Sequence, residues 1–258
     1  MSDSAGSSAW MWVGKLSPPQ VQLDVVSRDA LLSRLRDYRR MALILVTSPP
    51  GFGKTTLLAQ WRAALQGDPV PTPIAWLSLD EADSDPNRFL AYVLLALEGA
   101  GVELQGLSQR AHAQALDANP ERTVAALLQA LARHGHRITL MLDDYHRAAC
   151  PGIDEIVLIL LERASAWLQL VVAGRTRPHW PLSTLKARGL VHEVDASDLV
   201  LSLSESNRIL GTDPRPWRTG NCSFANGGLG GSSPVGAVVD LKGLWVASRT
   251  ERLFWTRQ

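Results

Sequence analysis

Cysteine is nearly absent from this chain. Two thiols, Cys150 and Cys222, stand in 258 residues, too few for a disulfide framework or a cysteine-rich zinc site. An excess of one charge is missing too. The 26 Lys and Arg face 25 Asp and Glu, for a net charge of +1, without the basic surplus of an indiscriminate polyanion binder. Apolar runs such as Met41–Val46 and Ile156–Leu161 fall far short of the ~20 residues that cross a bilayer. Residues 1–20 lack a basic stretch followed by an apolar one, so no secretory signal is read. No membrane partner is expected, and a reduced, cytoplasmic setting is. The six histidines show no ligand spacing beyond His134-Gly-His136, which just precedes an apolar run and reads as a solvated turn. A G-x-S-x-G elbow, a Cys/His nucleophile pair and a G-x-G-x-x-G after the first strand are also missing, which sets aside those hydrolase and dinucleotide chemistries.

What is present alternates. Apolar runs at Met41–Thr47, Ile74–Leu79, Ile138–Leu142, Leu168–Ala173 and, more weakly, Leu190–Val194 are separated by helical stretches at Lys54–Ala64, Asn87–Leu97, Glu121–Arg133 and Ile153–Arg163. Strands apolar throughout, alternating with helices, predict an α/β fold with a parallel five-stranded sheet covered by helices on both faces. Residues 1–14 read as a polar arm, and Lys15-Leu-Ser-Pro-Pro as an extended segment around its prolines. Ser27 reads as the N-cap of a helix running from Arg28 to about Tyr38. Near residue 210 the composition shifts. Eight glycines and three of the nine tryptophans fall in residues 211–258, a Gly/Trp-rich tail that buries little to offset chain entropy and is expected to be poorly ordered, with a strand hinted at Ala237–Val239.

The chemistry concentrates in Ser48-Pro-Pro-Gly51-Phe-Gly53-Lys54-Thr55-Thr56. A strand, a glycine-bearing loop and a helix start follow in the order that a phosphate cradle needs, with free N–H groups and the positive end of a helix dipole converging. Gly51 and Gly53 let the backbone approach closely, Lys54 reaches the β- and γ-phosphates, and the Thr55 hydroxyl binds Mg²⁺, with Thr56 completing the helix start. The strict phosphate-loop pattern has glycine where this chain has Ser48. A second element, Ile138-Thr-Leu-Met-Leu-Asp143-Asp144, ends an apolar strand in two acids. Asp143 can hold Mg²⁺ through water and Asp144 can orient an attacking water. A third, Leu168–Gly174 followed by Arg175, sets an arginine at the ligand edge of the sheet, where it can sense a γ-phosphate.

These phrases resemble the nucleotide-binding domain of the MalT-type, large ATP-binding LuxR-family transcriptional regulators, within the STAND class of P-loop ATPases. The run from Ser48 to Trp61 carries the resemblance, supported by Val26-Ser-Arg28, Ala75-Trp-Leu-Ser-Leu-Asp80-Glu81, Asp85-Pro-Asn-Arg-Phe-Leu90, Leu142-Asp-Asp-Tyr-His146 and Val172-Ala-Gly-Arg175. It covers residues 15–210. It implies an additional-strand P-loop NTPase with ATP and ADP as ligands and Arg28 near the base. It also implies a switch in which ATP favours self-association and hydrolysis resets. The winged-helix, helical-repeat and helix-turn-helix modules of that family have no counterpart after residue 210, so a truncated or frame-disrupted product without sequence-specific DNA binding is the expectation. A self-contained P-loop ATPase or small-molecule kinase, and an inactive fragment, are the alternatives. For a kinase lid, Gly101–Pro120 offers only Arg110.

Overall fold

The computed structural model of the protein describes residues 12–19, 26–69, 71–108, 119–202, 205–206, 236–240 and 243–247. Seven strands are described: β1 (Leu43–Thr47), β2 (Ile74–Ser78), β3 (Ile138–Asp143), β4 (Leu168–Gly174), β5 (Val191–Val194), β6 (Gly236–Asp240) and β7 (Gly243–Ala247). The described helices are α1 (Asp29–Asp37), α2 (Lys54–Gln66), α3 (Pro86–Gly99), α4 (Pro120–His134), α5 (Pro151–Arg163), α6 (Leu182–Ala187) and α7 (Ala196–Leu199). The first five strands form one parallel sheet in the order β2-β3-β4-β1-β5. β4 therefore lies between the strand that feeds the glycine loop and the strand that ends in Asp143. That inserted strand makes this an additional-strand P-loop sheet.

Strand periodicity divides the core in two. Leu43, Leu45, Ala75, Leu77, Leu140, Leu142, Leu170 and Val172 face α3, α4 and α5, while Ile44, Val46, Trp76, Met141, Val171 and Ala173 face α1 and α2. Successive side chains point to opposite faces, so strands covered on both sides must be apolar at every position. Trp61 of α2 and Phe89 of α3 are fully buried, one on each face. Burial of side chains of this size contributes about 1.5–3 kcal/mol each.

The helix ends follow local chemistry. Asn119 caps α4, accepting from Glu121 N–H at 2.9 Å, and Asp85 caps α3, accepting from Arg88 N–H at 2.8 Å. Both helices then open on proline, whose missing N–H leaves no donor unmet there. At α1 the sequence expectation needs correction. Arg28, not Ser27, is the N-cap, because the Ser27 hydroxyl turns to the Asp29 carboxylate instead of a backbone N–H. A second correction concerns Lys15. Val13–Leu16 form a short 3₁₀ turn, and the backbone is extended only from Ser17. The turn is held by the buried Lys15 ammonium, 2.6 Å from both Asp80 and Asp83, and by Trp12 N–H donating to the Tyr92 hydroxyl at 3.0 Å. Of residues 211–258, β6 and β7 are described and pair as an antiparallel hairpin; the rest of that segment lies outside the described residues. Residues 109–118, half of the stretch Gly101–Pro120 and including Arg110, also lie outside them. Among the described residues no helix is long and apolar enough to cross a membrane.

Candidate functional site

The candidate phosphate, metal and water-orienting residues other than Arg28 gather at the C-terminal ends of β1, β3 and β4. Gly51 and Gly53 both take positive φ, +85° and +77°, a region closed to most side chains. A Cβ on Gly53 would touch nothing within 4 Å, so its backbone angle, not lack of space, demands glycine. Gly53 is also the N-cap of α2 and supplies no side-chain cap. The first N–H groups of the helix are left for a ligand. Ser48 stands where glycine is usual, and its φ is not positive, so a serine fits. Its side chain is buried, its N–H donates to Gly174 C=O at 3.3 Å, and its carbonyl accepts from Lys54. Ser48 thus meets the site through its carbonyl, with its N–H held in the sheet.

The Lys54 ammonium folds back under the loop, donating to the carbonyls of Ser48 at 2.8 Å and Pro49 at 2.9 Å. Burial pushes its pKa down, while the carboxylates of Asp144 and Asp143 oppose that shift and Arg175 adds to it. Those four groups therefore share one electrostatic neighbourhood. The Thr55 hydroxyl donates to Asp143 Oδ2 at 2.7 Å, and Asp144 N–H donates to Asp143 Oδ1 at 3.0 Å. Burial raises the Asp143 pKa, against the lowering by the Thr55 hydrogen bond. Thr56, half-buried, follows in the same first turn. Asp144 adopts φ +55°, the left-handed region that Asp tolerates better than most residues. This bend turns β3 abruptly into a 3₁₀ turn, Tyr145–Arg147.

Two residues that the sequence reading gave no role build that turn. The buried Tyr145 hydroxyl donates to Asp154 Oδ1 at 2.6 Å, and Trp180 Nε1 donates to the same oxygen at 2.8 Å. His146 comes to rest with Nδ1 3.9 Å from Asp144 Oδ1. Burial lowers its pKa, with Asp144 opposing. A Cβ at Gly174 would lie 3.7 Å from the Cβ of His146, so the end of β4 and the turn after β3 pack closely, with the exposed Arg175 following.

With this geometry in view, comparison with known proteins is informative. No family model matches the chain. The HTH-type transcriptional regulator MalT of Cronobacter sakazakii is 32% identical over 194 residues, covering 75% of this chain and 21% of that protein. MalT of Serratia proteamaculans is 32% identical over 198 residues, with the same coverage. The chain is related to the MalT regulators. It spans about a fifth of the length of these relatives. Among solved structures, the Aeropyrum pernix ORC1 protein in complex with DNA superposes with a TM-score of 0.51 at 15% identity, over 75% of this chain and 50% of that one. At that identity the likeness shows the P-loop ATPase fold alone.

Kinship with MalT draws attention to Arg28 and to Gln60, in the middle of the matching α2 phrase. Gln60 Oε1 accepts from Arg28 N–H at 3.2 Å and its Nε2 donates to Val26 C=O at 2.9 Å. The helix after the phosphate loop thereby fixes the lead-in to α1. The Arg28 guanidinium itself is fully engaged. It donates to the carbonyls of Leu199, Asp198 and Val200 and to Glu205 Oε1, at 2.9 to 3.3 Å. The structure thus joins Arg28 to the C-terminal end of α7, apart from the loop cluster.

Proposed function

We propose that this chain is a nucleotide switch. It binds ATP with Mg²⁺ at the β1–α2 loop, hydrolyses it slowly, and uses the difference between ATP and ADP to control self-association in a regulator of the MalT type. The observation that carries this reading is the buried Lys54 ammonium, held by loop carbonyls at an uncapped helix start. Phosphate oxygens offer Lys54 full negative charge in place of those carbonyls and so relieve its burial. Thr55 and Asp143 form a hard-oxygen pair suited to Mg²⁺, a cation that keeps several waters and takes few protein ligands beside phosphate. Held there by Thr55 and Asp143, Mg²⁺ would supply positive charge that offsets the charge of the phosphate oxygens. Asp144 accepts from the attacking water and orients it, and Arg175 meets the γ-phosphate from the end of β4. Arg28 clamps the segment after α7, and a place near the base rests on the family resemblance alone. A switch needs its ATP state to persist, which favours slow hydrolysis.

The chain itself takes no part in reading DNA sequence on this proposal. Residues 211–258 carry six Lys and Arg against three acids, enough for weak polyanion contact that fades between ~50 and ~200 mM salt. The "HTH-type" name of its relatives then refers to parts of those proteins beyond the matched fifth. Calorimetry tests the core of the reading. Lys54→Ala removes a charge-assisted contact of about 1.5–3 kcal/mol, so ATP affinity should drop roughly ten- to hundredfold. Equal affinity in the two proteins would refute the assignment. Turnover above ~10 per second, the pace of a dedicated enzyme, would shift the reading to a self-contained ATPase or kinase.

A further inference from the structure

A cavity of about 620 Å³ opens at the opposite pole of the sheet, around the N-terminal ends of β1 to β4. It is lined by Arg39, Arg40, His134, His136, Arg137 and Gln169, and among the described residues no Asp or Glu lines it. Arg39 pairs with Asp68, whose other oxygen pairs with Arg36. Arg137 spans the floor of the site, its Nη2 donating to the carbonyls of Met41 at 2.7 Å and Arg40 at 3.2 Å. Gln169 Nε2 donates to the carbonyls of Tyr38, Arg39 and Met41, which fixes the backbone from which Arg39 and Arg40 project. Arg39 Nε, Arg137 Nε and His134 Nε2 are buried with no hydrogen-bond partner among the described residues. Burial lowers the Arg137 pKa, and no neighbouring carboxylate offsets it.

A half-buried cation without a counter-charge, as Arg137 is here, is stabilised when an anion completes it. The cavity falls in the size range of small-molecule sites, about 300–1,000 Å³, and planar guanidinium groups suit phosphate oxygens. We propose that this cavity is a second ligand site, separate from the nucleotide loop, that takes a compact small molecule carrying phosphate groups. The two sites stand at opposite ends of the same strands. β1 begins just after Arg40 and ends at the phosphate loop, and β3 begins just after Arg137 and ends at Asp143.

The test uses inorganic pyrophosphate as probe, titrated into the full chain in magnesium-free buffer at low salt, with and without saturating ADP. Arg40 and His136 are exposed, and among the described residues their side chains make no hydrogen bond, so Arg40→Ala/His136→Ala is the variant of choice. The wild type should retain pyrophosphate binding in the presence of ADP. The double variant should bind it about tenfold more weakly or worse while keeping wild-type ADP affinity. Should the double variant melt early, Arg40→Glu at the same exposed position decides, and it should lose pyrophosphate binding. No pyrophosphate binding in the wild type, complete displacement by ADP, or unchanged affinity in both variants would overturn the proposal. The variants leave the phosphate loop untouched, so failure here and failure of ATP binding are read separately.

Discussion

Lys54 and Arg137 are both cations withdrawn from water at the ends of one sheet, yet their surroundings differ in kind. Around Lys54, Asp143 and Asp144 oppose the burial penalty, and Thr55 ties Asp143 into the same cluster. Around Arg137, carbonyl oxygens are the acceptors and the cavity walls carry no acid. A pole with both signs of charge suits a ligand that arrives with its own metal, since an anion and a cation each find a partner. A cavity whose charged walls are cationic, with Asp68 at its edge already paired to Arg36 and Arg39, suits an anion alone. Backbone direction sharpens the contrast. At the C-terminal pole the start of α2 adds positive potential from free N–H groups, whereas at the other pole side chains supply all of it.

The largest effect should come from the acid with no direct role in holding phosphate. Asp144→Asn keeps the side-chain shape but loses the carboxylate that accepts from water. Hydrolysis should drop by about 10²–10⁴-fold with ATP affinity little changed, as single-turnover assays beside calorimetry would show. A matched loss of affinity would make Asp144 a binding group. Next in size is the tenfold to hundredfold loss expected for Lys54→Ala. The comparison of poles adds a control, because Arg40→Ala/His136→Ala should leave ATP affinity alone. Loss of ATP binding there would join the two poles into one site.

The two poles were not equally legible in the sequence. The nucleotide pole is written locally: one loop, one strand end of two acids, one arginine after a strand, each recognisable because the backbone geometry forces adjacent residues together. The five strands of the parallel sheet are legible to within about two residues, because most of their positions are apolar, with Thr139 and Gln169 as buried exceptions, whereas β7 is not legible at all. The cavity pole is assembled from Arg39 and Arg40 after α1, His134 to Arg137 after α4, and Gln169 on β4, which are far apart in sequence and follow no spacing rule. His134-Gly-His136 was legible as a turn, and Gly135 does cap α4 with φ +71°. The inward face of His134 was not, since it depends on which side chains α1 and β4 bring to it. The Ser27 cap failed for a related reason: a carboxylate two residues on, Asp29, competes for the hydroxyl.

A smaller effect distinguishes backbone geometry from chemistry at the nucleotide pole. Gly53→Ala forces a Cβ into the left-handed region at φ +77° with open space around it, so strain is the only penalty. Stability should fall by about 1–2 kcal/mol, a lowering of a few degrees in melting temperature. An unchanged melting temperature would mean the loop relaxes to another shape.

The smallest effect converts a paired cation into one resembling Arg137. Arg28 is buried where Arg137 is half-buried, and both donate to carbonyls, but Arg28 has Glu205 at 3.0 Å. Burial acts to raise the Glu205 pKa, yet the Ser202 N–H and hydroxyl and the Arg28 charge together outweigh it, so the carboxyl sits below its ordinary value. A depressed native pKa stabilises the fold at pH values above the unfolded-state pKa, and that contribution is lost as pH falls through the native one. Glu205→Gln removes the charge but retains an oxygen that can accept, and three carbonyls still hold Arg28. The loss at neutral pH should therefore be modest, about 1 kcal/mol. Urea unfolding of both proteins from about pH 7 down to about pH 3 provides the measurement. The gap between wild type and variant should hold while Glu205 stays ionised and close as it protonates. A gap that persists undiminished in acid would mean that shape, not charge, makes the Arg28–Glu205 contact, and Arg28 would then tolerate the same unpaired state that Arg137 displays at the far pole.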